Sequence, residues 1–438
     1  MARPASAADP IALRDDDTAD RHPTIPFIQR ILSFSATVGL VAVVGVLAIP
    51  VLIASVGAEV WAQLTVIQVL AGVFGVIVAF GWGATGPSMI AGATREQRPY
   101  IFRESLSARL TLYAVAAPTM IVISLLLTRG DVPLSVLGTI AYLLPYVASP
   151  WYFVGQAQPG RLFVLNTIPA VVGTLVGLLA TWLTSSITAF LLIQALGYLV
   201  AILLERRHIL ATLPPGEHAR YSLRAVLALL GTQRHAVTGS LVSSLYVSLP
   251  LVTVQALIPA QVPVYAMADR LFKFGSLALA PVQQFLQGWV PEDGPAHIAR
   301  RCVRAVVIGL AFGFVGGSLI AGFSPLASAL LSGGAVLVPL SLSIPLGIAF
   351  LFVSGSAIAG YACLILLGQV RHVAIASIMA AAVGAPLILI SASLHSLELI
   401  AWSVALSEFV VTIYQLVILR LTLRRGEIPP AAPEPEVA

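Results

Sequence analysis

Twelve stretches of about twenty residues, nearly all of them uncharged, follow one another through this 438-residue chain with short connections between them. A run of roughly 20 apolar residues is what a helix needs to cross the hydrocarbon core of a bilayer. Inside lipid, every backbone N–H and C=O must find its partner within the protein, and a single run can do that only as a helix. The stretches lie at about 27–53, 60–81, 105–128, 134–155, 162–183, 186–205, 236–258, 263–290, 305–323, 338–366, 373–393 and 397–420. With 58% hydrophobic and only 10% charged residues, the chain lacks the charge that a soluble domain of this length carries. The expected fold class is an all-α integral membrane protein: about twelve transmembrane helices in two six-helix lobes around a central cavity.

The formal net charge of +5 does not point to nucleic acid, because the distribution of the basic residues explains it. Of the 24 lysines and arginines, 21 fall in the two tails or in the connections after spans 2, 4, 6, 8 and 10, counted with their span ends. Two more lie inside span 8, and only Arg129 falls in the opposite set. Basic residues collect on the cytoplasmic side, so both termini and the longer connections are expected there, in a multi-pass protein of the cytoplasmic membrane. Trp61, Trp82, Trp151, Trp182, Trp289 and Trp402 all stand near span ends, where amphipathic rings favour the interface.

The chain divides into a cytoplasmic tail at 1–26, a six-helix lobe at 27–205, a linker at 206–235, a second lobe at 236–421 and a tail at 422–438. Both tails read as disordered. Five aspartates, among them Asp15, Asp16, Asp17 and Asp20, and three arginines precede the first span, with no small-residue cleavage site. The linker is broken by Pro214-Pro215-Gly216, and residues 221–231 suit a short amphipathic surface helix. The halves echo each other weakly: Gln29-Arg30 and Gln233-Arg234, like Trp61 and Tyr265, stand 204 positions apart. A six-plus-six duplication is a transporter architecture with its site between the halves. Prolines at 50, 118, 145, 169, 250, 281, 345 and 386 interrupt the spans, either as ordinary membrane-helix kinks or as bends that widen a cavity.

Several functions are set aside. The histidines show no metal-ligand spacing. Cys302 falls in a connection and Cys363 in a span, so no pairing is expected. There is no nucleotide-binding motif, and the outer connections are too short to hold the acids or histidines of a membrane glycosyl transferase. No cofactor and no enzymatic reaction are expected. What stands out is Pro263–Trp289, a span that carries Asp269, Arg270 and Lys273, the only lysine in the protein. Intramembrane charges usually face a bundle interior or a water-filled cavity. Asp269 and Lys273 stand four residues apart in the favourable acid-first order for a helical ion pair. That leaves Arg270 about 100° away on the helix.

Three motifs carry a family resemblance. Residues 49–91 run from a proline-ended span through Gly57, Trp61 and Ala62 to Phe80-Gly81. The end of span 4 reads Pro150-Trp151-Tyr152-Phe153-Val154-Gly155-Gln156, and span 8 opens Val264-Tyr265-Ala266-Met267-Ala268-Asp269-Arg270-Leu271. In order and spacing these resemble the polysaccharide repeat-unit flippases, the Wzx-like branch of the multidrug/oligosaccharidyl-lipid/polysaccharide exporter superfamily, over about 27–421. Ala62 stands in place of a glycine, Asp269 in place of a glutamate, and the Gln and Glu that close the span-4 motif are absent or shifted.

The resemblance implies translocation of polyprenyl-pyrophosphate-linked oligosaccharide repeat units across the cytoplasmic membrane by alternating access, for surface polysaccharide assembly. It implies the lipid-linked oligosaccharide and the bilayer as partners, with polymerase machinery and a coupling ion beside them. Such a site needs cations for phosphate, and arginine binds phosphate oxygens in a bidentate fork. Arg270, roughly 10 Å into its span at 1.5 Å per residue, is the first candidate, with Lys273, Arg30 and Arg109 beside it. The alternative for the Asp269–Arg270–Lys273 group is a charge cluster that pins span 8 to a neighbour; for Arg30, snorkelling to headgroups.

Glu408, the deepest lone carboxylate, lies in line with Thr412 and Gln415. Burial disfavours the charged form of a carboxyl, so Glu408 or Asp269 is a candidate for ion coupling; the other reading is a hydrogen-bonded structural acid. Ser240, Ser244, Ser248, Gln283, Gln287 and Asn166 either meet sugar hydroxyls or join helices. The competing function is an ion-coupled exporter of small cationic or amphipathic molecules within the same superfamily, for which acidic and aromatic cavity groups are expected.

Overall fold

A computed structural model of the chain describes residues 27–425 apart from 212, 214–222 and 293. The tails expected at 1–26 and from 426 onward, and the Pro214-Pro215-Gly216 break, lie outside the described residues. Among the described residues, twelve spans follow in order, each named here by its main helix; the second, fourth, fifth and tenth are completed by short helical segments beside it. The first six are α1 (Phe27–Val56), α2 (Ala58–Ala79), α3 (Arg98–Leu127), α4 (Val132–Leu143), α5 (Ile168–Thr184) and α6 (Ile187–Leu210). The second six are α7 (Leu223–Leu257), α8 (Val262–Trp289), α9 (Pro295–Ser332), α10 (Leu340–Ala357), α11 (Val370–Ser393) and α12 (Leu397–Arg425). Eleven are apolar and long enough to cross a membrane; the exception is α8, 28 residues long and the bearer of the three charges. The protein is an all-α integral membrane protein of two six-helix lobes around a central cavity.

Local chemistry explains the ends and breaks. Gly57 turns α1 into α2 at φ +88°, a region open to glycine and costly for other residues. Phe80 and Gly81, both at positive φ, end α2 and start a short helix, Trp82–Gly92. Pro145 breaks α4 into a 3₁₀ turn, Leu144–Val147, before the short helix Pro150–Gly155. That short helix packs on Trp82–Gly92, with the Trp82 and Trp151 rings 5.2 Å apart. π-helical turns precede α5 (Phe163–Thr167) and follow α10 (Ile358–Leu364).

Each lobe is closed by its own contacts. In the first, α1 lies along α5, α5 along α6, α4 along α6, and α2 along α3 and α4. In the second, α7 lies along α11, α11 along α12, and α10 between α9 and α12, while α8 rests on α9 and α10. At the α9–α10 crossing, Gly317 and Gly347 bring the two backbones so close that a Cβ on either would strike the other's carbonyl. The lobes meet where α2 touches α7 and α8, α3 touches α7, and α1 touches α9.

Several sequence expectations are corrected. Trp61, Trp82 and Trp151 are buried core residues rather than interfacial anchors; only Trp182 and Trp402 are broadly exposed. Their rings fill space over small neighbours, as Trp151 does over Gly86. Residues from Leu223 onward form one helix with the seventh span rather than a separate surface helix. α9 begins at Pro295, before the expected span, so Cys302 lies inside it beside Cys363. The Cys363 thiol is 3.7 Å from the Cys302 carbonyl, and both cysteines are free and buried.

Candidate functional site

The central site is built by α2, α7 and α8. The first turns of α8 are packed tight, with Tyr265, Ala266, Met267 and Ala268 buried. Further along, one face of the helix is exposed, with Leu277 at 52% and Phe285 at 66%, while Leu279 and Leu286 on the other remain buried. Asp269, Arg270 and Lys273 stand between the tightly packed first turns and this two-faced stretch of α8. They line a pocket of about 390 Å³ together with Thr65, Gln68, Val69 and Gly72 from α2 and Ser243, Ser244, Val247 and Ser248 from α7, a wall that mixes charges and hydroxyls with aliphatic surface.

The charges partition as their spacing predicts. Lys273 Nζ lies 2.7 Å from Asp269 Oδ2, one helical turn away. Arg270 makes no ion pair among the described residues; its Nη2 donates to Gln68 Oε1 across the lobe boundary. Its Nε is buried and has no hydrogen-bond partner. A buried guanidinium N–H without an acceptor carries the full cost of desolvation, so this group is incompletely satisfied. After the Asp269–Lys273 pair, the pocket retains one positive charge.

Arg270 and Gln68 also border a second pocket of about 230 Å³ on the far side, lined by Ala42, Ile49, Trp61, Phe190 and Phe274 among others. Its polar members are few: Tyr142, Thr174 and Gln194 besides Gln68 and Arg270. Gln194 Nε2 reaches Thr174 Oγ1 at 3.4 Å, and Gln194 Oε1 has no partner. One cation thus stands at the junction of a pocket that carries serine and threonine hydroxyls and one walled mainly by aliphatic and aromatic side chains.

The other candidates lie elsewhere. Arg109 is not in the cavity: it is fully buried within the first lobe. It donates to the carbonyls of Val147 (2.7 Å) and Ala148 and to Ser149 Oγ (2.6 Å), the backbone groups released where α4 breaks. Glu205 completes this knot, accepting from Ser149 N and Asn166 Nδ2, both at 2.8 Å. Asn166 is therefore held within the lobe too. Glu408 lies inside the second lobe next to Tyr246, whose hydroxyl pairs with Ser407. No hydrogen bond to its carboxyl is formed among the described residues, and it does not line the central pocket. Thr412 donates to the Phe352 carbonyl at 2.8 Å, and Gln415 packs against Gly360. Of the serine stripe, Ser244 and Ser248 line the pocket and Ser240 does not; Gln283 and Gln287 lie beyond it on α8. Arg30 and Arg234 belong to α1 and α7, at positions whose side chains lie outside the described set. Gln68 and Gln194 are missing from the sequence reading, although an amide in an apolar run is a visible signal.

No family model matches the chain, and no curated protein matches it by sequence. Solved structures match in fold. The lipid II flippase MurJ, in an inward closed conformation, aligns over 91% of this chain and 90% of its own length, with a TM-score of 0.65 and 12% identity. A multidrug resistance MATE family transporter of the MOP superfamily, inward-facing, covers 87% of this chain and 94% of its own length at a TM-score of 0.59 and 14% identity. MATE in complex with MaL6 aligns over 91% and 97% at 0.56 and 15%. At these identities the likeness is one of fold.

Proposed function

We propose that this chain, folded as MurJ and the MATE transporters are, is a flippase. It carries polyprenyl-pyrophosphate-linked oligosaccharide units across the cytoplasmic membrane by alternating access. The observation that carries this reading is the position of Arg270, with an unpaired buried N–H, between a pocket that bears the hydroxyls of Thr65, Ser243, Ser244 and Ser248 and one walled by Trp61, Phe190 and Phe274. A lipid-linked pyrophosphate has the same three parts: a sugar head for the hydroxyls of Thr65, Ser244 and Ser248, a dianion for the cation, and a chain for the apolar wall. The resemblance of the span-1/2, span-4 and span-8 motifs to the Wzx-like flippases narrows the substrate to polysaccharide repeat units, handed on to polymerase machinery.

The basic residues put the C-terminal end of α8 at the cytoplasmic face, the side from which the lipid-linked unit enters. At the opposite end the lobes are joined by Gln255 Nε2, which donates to the Leu127 carbonyl at 2.6 Å; outward opening breaks this bond. Asp269 compensates Lys273 when the cavity is empty, and the arriving phosphate competes for both cations. Glu408, away from the substrate, is the candidate for coupling an ion to the motion of the second lobe.

A second reading, export of small amphipathic molecules, draws on the aromatic lining of Trp61, Tyr142, Phe190 and Phe274. The two readings separate in proteoliposomes given a labelled polyprenyl-pyrophosphate oligosaccharide or a cationic dye. The flippase reading expects wild type to move the lipid and Arg270→Ala to move it at least tenfold more slowly. Movement of the dye alone, faster in Arg270→Ala because a repelling charge is gone, would establish the exporter instead.

A further inference from the structure

A second concave surface lies apart from the central site, between the start of α9 and the end of α12. It is a groove of about 620 Å³ with a floor of Val303, Val306, Val307, Leu416, Leu419 and Leu423. Its rim is cationic: Arg300 from α9, and Arg420 and Arg424 from α12. All three arginines are exposed, and none forms an ion pair among the described residues. Arg420 and Arg424 stand one helical turn apart, a like-charge spacing that disfavours the helix, and Arg300 adds a third positive charge from the facing helix. No acidic residue lines the groove to offset them.

We infer that this groove is a binding site for an anionic phospholipid of the leaflet on the basic face of the protein. The arginine rim takes the phosphate headgroup, and an acyl chain lies along the valine and leucine floor. Basic pockets between transmembrane helices on the cytoplasmic side favour anionic headgroups in this way. A water-soluble phosphate gains nothing from an apolar floor, and a zwitterionic lipid gains little from three arginines. The floor is continuous with the lipid-facing surface of the bundle, since Val303 and Val307 are more than half exposed. α9 touches α1 of the other lobe, so a lipid seated on it bears on a helix at the lobe boundary. The inference does not depend on the identity of the transported substrate.

Native mass spectrometry of the full-length protein, purified in mild detergent and titrated with phosphatidylglycerol, cardiolipin or phosphatidylcholine, tests the site. Wild type is expected to retain an anionic lipid that phosphatidylcholine and inorganic phosphate do not displace. The combined variant Arg300→Gln/Arg420→Gln/Arg424→Gln is expected to lose it at least tenfold in apparent affinity. Val307→Trp, which fills the floor and leaves every charge in place, is expected to lose it as well. A control combining Arg206→Gln, Arg207→Gln and Arg371→Gln, all outside the groove, is expected to keep it. Equal retention by wild type and both groove variants would overturn the site, as would loss in the control alone. Displacement by inorganic phosphate would overturn its lipid nature. A full-length protein that binds lipid only after removal of residues 426–438, which include Glu427, Glu434 and Glu436, would make that tail the occupant instead.

Discussion

At the residue scale the account rests on what surrounds each buried charge. Arg270, on the lining of two pockets, keeps a buried donor unpaired, whereas Arg109 spends its donors on Val147, Ala148 and Ser149. The two arginines therefore respond differently to substitution. Arg270→Ala is expected to fold and to stop transport. Arg109→Ala leaves buried carbonyls without donors and is expected to cost on the order of 3 kcal/mol, seen as lost thermal stability in detergent. Normal stability of Arg109→Ala would contradict the structural assignment. Glu408→Gln is expected to preserve folding and remove the response of transport to a proton gradient; an unchanged response, measured in proteoliposomes at fixed substrate, would exclude coupling through this carboxyl. Arg270 is legible in the sequence because a charge in an apolar run has few places to go. The role of Arg109 is not, because its partners are carbonyls 38 and 39 residues downstream, freed by a break that local pattern does not place.

At the element scale, the spans are legible because bilayer thickness sets their length, and their ends are less so because helices extend past the hydrocarbon. α9 runs from Pro295 to Ser332 where apolarity alone suggests 305–323, and that extension brings Cys302 against Cys363. Packing partners are legible only after the fact. The α9–α10 crossing depends on Gly317 and Gly347, two glycines among 35 in the chain. Gly317→Ala drives a methyl group into the Gly347 carbonyl and is expected to cost about 2 kcal/mol, within the range for overpacked cores. Gly322→Ala, on the same helix with open space around it, is the control, expected to leave thermal stability unchanged. If both lose stability equally, helix propensity rather than the close crossing is responsible.

At the scale of the whole molecule, two six-helix lobes meet around a central cavity, with α2, α7 and α8 at the boundary. Six-plus-six organisation follows from the even count of spans and the alternation of basic connections, whereas which helices meet at the lobe boundary is a property of the fold that no stretch of sequence states. A single cysteine at Ser244, in a background with Cys302→Ala and Cys363→Ala, is expected to react with a membrane-impermeant thiol reagent from the cytoplasmic side at least tenfold faster than from outside; the reverse would place the opening at the other face.

The central claim, that Arg270 binds the pyrophosphate of a lipid-linked sugar in transit, is tested most directly by recovering polyprenyl-pyrophosphate oligosaccharides from cells depleted of this protein and probing their accessibility at the outer face. The account predicts complete repeat units that accumulate and stay inaccessible, with accessibility restored by the wild-type chain and not by Arg270→Ala. Normal precursor levels with normal surface polysaccharide in the depleted cells, or full rescue by Arg270→Ala, would contradict it.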